Sequence, residues 1–164
     1  MDLLFANQER EKTVPLQEEH EKKTLDPAIR RAIFNAVTSE PYARALNIAL
    51  LDLDTGYAKV GMTYDPARMD NIYQRAHGGA VFGLIDEAFE TAGQTDGTIA
   101  VALNINVTYI ASPRPGSRLT AEARQISQTR KTAGYDITVT ADGGELIATC
   151  QALAYRTGKP IPFL

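Results

Sequence analysis

The sequence predicts an α+β domain in which one long central helix lies against a curved antiparallel sheet. Three observations carry this reading. Residues 77–94, HGGAVFGLIDEAFETAGQ, hold a helical period through Val81, Leu84, Ile85, Ala88, Phe89 and Ala92 and run into a glycine-rich exit. The period then switches to two. Between residues 98 and 110, Ile99, Val101, Leu103, Ile105, Val107 and Tyr109 alternate with smaller or polar residues, as in a long strand with one buried face. Finally, residues 118–127, 132–140 and 145–156 read as three further strands. Asp142-Gly143-Gly144 joins the last two, since glycine accepts the positive φ of a tight hairpin.

The earlier elements follow in order. Residues 1–26 form a polar, partly helical N-terminal arm. Its Glu and Lys residues allow i,i+4 pairs, and Pro15 interrupts any long helix. Such an arm is solvated or packs on a partner subunit. Residues 27–164 make one domain, without internal repeats. Asp26-Pro27 is an N-cap followed by proline at the first helical position. Ile29, Ala32, Ile33, Ala36 and Val37 then recur at helical spacing, and Pro41 ends that helix or starts a second short one. Residues 46–53 and 57–64 read as strands around an Asp54-Thr55-Gly56 turn. Residues 65–76 read as a polar loop.

Composition sets the boundaries on function. A chain of 164 residues, 44% hydrophobic and 23% charged, can bury a core without disulfides or a structural metal. The single cysteine, Cys150, excludes an internal disulfide and multi-cysteine zinc motifs. With only His20 and His77, metal chemistry would lean on carboxylates, and no metal site is expected. A net charge of −3 argues against nucleic acid as a partner. No apolar run approaches the ~18 residues of a membrane span. The opening residues turn charged too early for a signal peptide, so a reduced, cytoplasmic protein is expected.

One segment carries chemistry. On a wheel of the central helix, Asp86 borders the apolar stripe of Phe82 and Phe89, while Glu87, Glu90, Thr91 and Gln94 lie on the polar arc. Gly79, Gly83 and Gly93 line the same edge as Asp86, where a second backbone can come close. A carboxylate there either begins the solvated face or is partly desolvated, with a raised pKa. His77-Gly78-Gly79 precedes the helix. Free N–H groups at a helix start form an anion or oxyanion site, or else the tripeptide is only a capped entry turn. Gly78 and Asp86 are eight residues apart, roughly 12 Å along a helix axis. Groups acting on one carbonyl must lie within about 3 Å of it. If both act, they come from two subunits, and the protein is a homodimer with shared sites.

The ordered set Asn71, His77-Gly78-Gly79 and Asp86 in LIDEAF resembles the signature of hotdog-fold acyl-CoA thioesterases of the phenylacetate-degradation type, the 4-hydroxybenzoyl-CoA thioesterase-like family. The Asn stands six residues before the His and the Asp nine after it, as in that family. The resemblance continues through LNINVTYIASPRPGSRLTAEAR and TAGYDITV to Arg156, covering about residues 45–157. It implies a hotdog fold and hydrolysis of an acyl- or aryl-CoA to the acid and coenzyme A, with no cofactor beyond the coenzyme A of the substrate. Asp86 would be nucleophile or general base. The Gly78 N–H would hold the thioester oxygen, His77 would orient it, and Asn71 would position water or the carbonyl. The resemblance also implies a tetramer built as a dimer of dimers.

Gly79, Phe82 and Asn104 are further candidates for contact with substrate. Arg114, Arg118, Arg130 and Lys131 sit in or beside loops where they suit the phosphates of coenzyme A or serve as ordinary surface charge. Tyr73, Tyr109 and Tyr135 either line an acyl pocket or pack the core. Two departures stand out. Ala102 occupies the place where members often carry Ser or Thr, and Thr129 precedes Arg130 where a glycine is usual. Hotdog hydratases carry a different loop motif, which this chain lacks. An acyl-CoA sensor would need a DNA-binding module, for which the arm is too short and polar. A serine triad is disfavoured because there is no G-x-S-x-G.

Overall fold

The computed structural model describes residues 24–164, so most of the expected N-terminal arm lies outside the described residues. Helix α1 (Pro27–Ser39) starts where Asp26 accepts a 2.7 Å bond from the Ala28 N–H. Pro41 opens a second short helix, α2 (Pro41–Leu46), which ends at Asn47 in the left-handed region. That helix takes Leu46, the first residue of the expected strand 46–53, Asn47 and Ile48 follow as its exit, and strand β1 spans Ala49–Asp54. Strand β2 (Tyr57–Thr63) follows the turn at Gly56, whose φ of 64° suits glycine. The expected loop contains a single-turn helix, α3 (Pro66–Met69), capped by Asp65.

The central helix α4 spans Gly78–Gly93. Strands β3 (Thr98–Tyr109), β4 (Arg118–Gln128), β5 (Thr132–Thr140) and β6 (Leu146–Pro160) complete the chain. All six strands pair antiparallel in the order β1-β2-β4-β5-β6-β3. The β5–β6 turn is a short 3-10 segment in which Gly143 and Gly144 have φ of 79° and 84°. The β4–β5 turn works without its usual glycine. Thr129 Oγ1 accepts from the Lys131 and Thr132 N–H groups, and the Thr129 N–H reaches the Thr132 carbonyl at 2.7 Å.

Helix α4 is buried on two sides. Val81, Leu84, Ile85, Ala88, Phe89 and Ala92 join the apolar core with Val60, Leu119, Ala121, Ile137 and Ile147 from the sheet. The Phe89 and Tyr135 rings meet edge to face at 5.2 Å. The opposite side is covered by α1 and α2, with Leu46 and Tyr42 seated over Gly83. Glu87 and Thr91, expected on a solvated arc, are therefore buried. A helical wheel shows only which residues share a face. It does not show how many faces are covered.

Strand β3 also departs from expectation. The pairing with β6 slips between Ala102 and Asn104, a bulge that leaves Leu103 unpaired. Ahead of the bulge, next to a second register shift between Thr98 and Ala100, both Ile99 and Ala100 pack on the core, and beyond it Ile105 and Val107 do. Val101 and Leu103 are instead 47% and 56% exposed. The extra residue changes the parity, so the alternation does not give one continuous buried face. Replacing fully buried Leu84 with Ala is expected to lower stability by about 2–5 kcal/mol, read from urea unfolding.

Candidate active site

The approach to α4 is a small closed loop. The Tyr64 hydroxyl, buried, donates to Asp70; Asp70 and Ala76 form an isolated bridge, and the His77 N–H reaches the Met69 carbonyl at 2.7 Å. Within the loop, Asn71 Oδ1 accepts from the Tyr73 N–H at 2.8 Å and the Arg75 N–H at 3.3 Å. Asn71 therefore spends its carbonyl oxygen on the loop and keeps its amide N–H groups for other partners.

His77 is the N-cap of α4. Its Nδ1 accepts from the Gly79 N–H at 2.9 Å, which makes Nε2 the protonated nitrogen of the neutral ring. The Ala80 and Val81 N–H groups go to the His77 carbonyl. Among the described residues, nothing accepts from the Gly78 N–H. Of the donors that begin the helix, it alone is left open toward a ligand. The Gly78 carbonyl accepts the Tyr109 hydroxyl at 3.0 Å, and a Cβ on Gly78 would come 3.3 Å from that ring. Asn71, Arg75, Gly78, Tyr109, Ser112 and Pro113 border one cavity of about 390 Å³.

Asp86 lies elsewhere, two turns along α4. It faces a cavity of about 280 Å³ with Phe89, Glu90, Gly93, Ala100, Ala102 and Ala154. The carboxyl is half-buried, and burial pushes its pKa above the ordinary aspartate value. No hydrogen bond or ion pair holds it among the described residues. Ala102 lines the same cavity as Asp86, so this wall offers a methyl group and no hydroxyl.

The candidate residues therefore form two groups within one chain. Asn71, His77, Gly78 and Gly79 are at one end of α4, and Asp86 faces a separate cavity. The cations divide likewise. Arg114 and Arg118 flank the turn before β4, next to Ser112 and Pro113 of the first cavity. Arg130 and Lys131 lie past the far end of β4, in the turn to β5, and line neither cavity. Lys131 Nζ donates to the Tyr155 hydroxyl at 3.2 Å. Phe82 is half-buried and Asn104 exposed, and neither borders either cavity. The bulge displaces Asn104, which follows it and pairs with Leu153. Tyr135 packs in the core against Phe89, and Tyr73 is exposed at the loop tip. Tyr109 is the site residue that sequence reasoning left among possible pocket aromatics. Nothing in its local pattern reveals a bond to a residue 31 positions away.

The thioesterase superfamily model matches residues 73–148. The Escherichia coli acyl-coenzyme A thioesterase PaaI is 34% identical over 119 residues, which cover 73% of this chain and 84% of that protein. The chain belongs to the thioesterase superfamily. It is a thioesterase of the PaaI type with the hotdog fold, as the sequence resemblance implies. The solved E. coli PaaI structure superposes with a TM-score of 0.79 at 30% identity, covering 84% of this chain and 99% of that one. The phenylacetic acid degradation protein PaaI of Thermus thermophilus gives 0.68 at 32% identity over 71% of this chain and 99% of that one. A Streptococcus mutans protein bound to acetyl CoA gives 0.66 at 27% identity, covering 70% and 92% of the two chains.

Replacing Tyr109 with Phe in the thioesterase removes the bond to the Gly78 carbonyl. Stability is expected to fall by about 0.5–1.5 kcal/mol, read from the denaturation midpoint.

Proposed function

We propose that this thioesterase hydrolyses acyl-CoA, with Asp86 as its reactive carboxylate. The observation that carries the reading is the Asp86 carboxyl itself, half-buried and unpaired among the described residues, facing a cavity walled by small side chains. A desolvated carboxylate is a stronger base and nucleophile than one held by cations. The acetyl CoA seen with the Streptococcus mutans protein, and the name of the E. coli relative, support coenzyme A as the carrier.

As general base, Asp86 takes a proton from water while the water oxygen bonds to the thioester carbonyl carbon. The C–S bond then breaks, and the thiolate of coenzyme A leaves and takes a proton. As nucleophile, Asp86 attacks that carbon directly, the C–S bond breaks and the coenzyme A thiolate leaves and takes a proton, and water then hydrolyses the acyl-aspartyl anhydride to the acid and the free Asp86 carboxylate. In both routes the carbonyl oxygen gains charge only during attack. A fixed Gly78 N–H aimed at it stabilises the transition state more than the substrate. His77 fixes the entry turn that aims this donor, and Asn71 offers its amide to the water or carbonyl.

The separation of the two groups along α4 supports a site shared between copies of the chain. Asp86 of one protomer would meet Gly78, His77 and Asn71 of its partner in a homodimer, and a dimer of dimers would build the tetramer. Arg130 and Lys131 of the first protomer, with Arg114 and Arg118 of the second, would then border one site and meet the phosphates of coenzyme A. Gly79 and Phe82 would lie at the same helix edge.

Asp86→Asn is expected to lower kcat by roughly 10²–10⁴-fold in a thiol-release assay, with folding retained. Undiminished turnover would overturn the assignment. In the wild type, kcat/KM is expected to fall with acid through an apparent pKa above the ordinary aspartate value, because burial favours the protonated, inactive carboxyl.

The shared site is tested by complementation. Gly78→Pro removes the N–H donor at the first helical position, whose φ suits proline and where His77 is already extended; the added ring must displace Tyr109, 3.3 Å away, so retention of fold is checked first by circular dichroism. Mixed and refolded with Asp86→Asn, it is expected to restore about a quarter of wild-type activity, the statistical share for one intact site in half of the dimers. No recovery from a mixture that does form hybrid dimers would place both groups in one chain.

A further inference from the structure

On the side of α4 away from the sheet, a pocket of about 350 Å³ lies under the joint between α1 and α2. Glu40 occupies that joint. It caps the end of α1 through its N–H to the Val37 carbonyl at 3.3 Å, and its own carbonyl accepts the Arg44 N–H at 3.1 Å to begin α2. Its side chain lines the pocket together with that of Glu87, which comes from α4 and is only 3% exposed.

The groups around Glu87 are few. From the α1–α2 side comes Glu40, amid Ile33, Ala36, Val37 and Pro41. From α4 itself come Glu90, the Thr91 hydroxyl and Gln94, and from the C-terminal segment Phe163. Asp86 stands beyond Glu90 and acts on it. Thr91 Oγ1 donates to Glu87 Oε1 at 3.5 Å. No Lys, Arg or His is among the described residues that border this pocket. Glu87 is buried, Glu40 beside it is half-buried, and no cation among the described residues offsets them. Ionising Glu87 next to Glu40 is therefore unfavourable, and Glu87 keeps its proton and donates it to Glu40.

We propose that Glu40 and Glu87 share one proton, and that this proton latches the α1–α2 pair onto α4, so that the cover is fastened in acid and loosens as the pH rises. Burial, the facing Glu40 and nearby Glu90 push the Glu87 carboxyl up from 4.5 to about 8, against the pull of the Thr91 bond. The direction of the pH effect follows. Once the cover opens, water reaches Glu87 and its ordinary value returns. The proton's contribution is full below about 4.5 and is lost as the pH rises through about 8. The device lies behind the helix that carries Asp86 and Gly78, and it is independent of which residues perform hydrolysis.

Hydrogen exchange of the full-length protein, corrected for the intrinsic rate at each pH, tests it. Protection of residues 27–46 is expected to fall by about tenfold per pH unit across pH 5.5–7.5 and to level off above about 8, while β4–β6 change little. Glu87→Gln keeps a donor for Glu40 but cannot ionise, so protection of residues 27–46 should no longer vary with pH. A flat wild-type profile, or a slope that survives in Glu87→Gln, overturns the proposal. Should Glu87→Gln fail to fold, Glu40→Gln carries the test. Removing the facing charge should move the levelling-off point to lower pH, and an unmoved point is the overturning result.

Discussion

The structure depends on the burial of α4. Ten of its sixteen residues are buried, because the sheet covers one side and the α1–α2 pair the other. Apolar area removed from water on the sheet side holds the helix in register with β2 and β4. On the second side, Gly83 has no side chain to keep Tyr42 and Leu46 away. With both sides occupied, α4 leaves open only its N-terminus and the edge that bears Asp86.

That constraint places the chemistry. The first N–H groups of the helix are divided among His77 Nδ1, the His77 carbonyl and, at Gly78, no acceptor among the described residues. The edge that bears Asp86 faces Ala100, Ala102 and Ala154, small residues that leave space beside the carboxyl. A straight helix cannot bring its first residue and its ninth to one atom. The fold therefore keeps the Gly78 N–H and the Asp86 carboxyl too far apart within one chain to meet on one atom. The same geometry distributes the cations, with Arg114 and Arg118 at one end of β4 and Arg130 and Lys131 at the other.

Much of the fold was legible in the sequence, for identifiable reasons. The Asp26-Pro27 start, the α4 period, the Asp54-Thr55-Gly56 and Asp142-Gly143-Gly144 turns and the order of strands all rest on local preferences that the fold respects. The readings that changed rest on nonlocal facts. The bulge after Ala102 reverses which side chains of β3 face inward, and an alternating pattern has no mark for one inserted residue. Glu87 belongs to a polar arc by spacing, yet it is buried because a helix more than forty positions earlier in the chain crosses over it. Asn104, just past the bulge, and Phe82, on α4, border neither cavity.

By itself the sequence determined the residue types and spacings of the site: an Asn, a His-Gly-Gly helix start, and an aspartate nine residues beyond the His. Local hydrogen bonding needs only the order of residues, so the entry turn and the His77 cap could be read from it. Only the tertiary structure decided what surrounds each group. It gave Asp86 its half-buried edge beside Ala102, tied Gly78 to Tyr109 across 31 positions, and set Glu40 against Glu87. Burial and electrostatic environment arise from elements distant in sequence, and they are what raise the Asp86 and Glu87 carboxyls above their ordinary values.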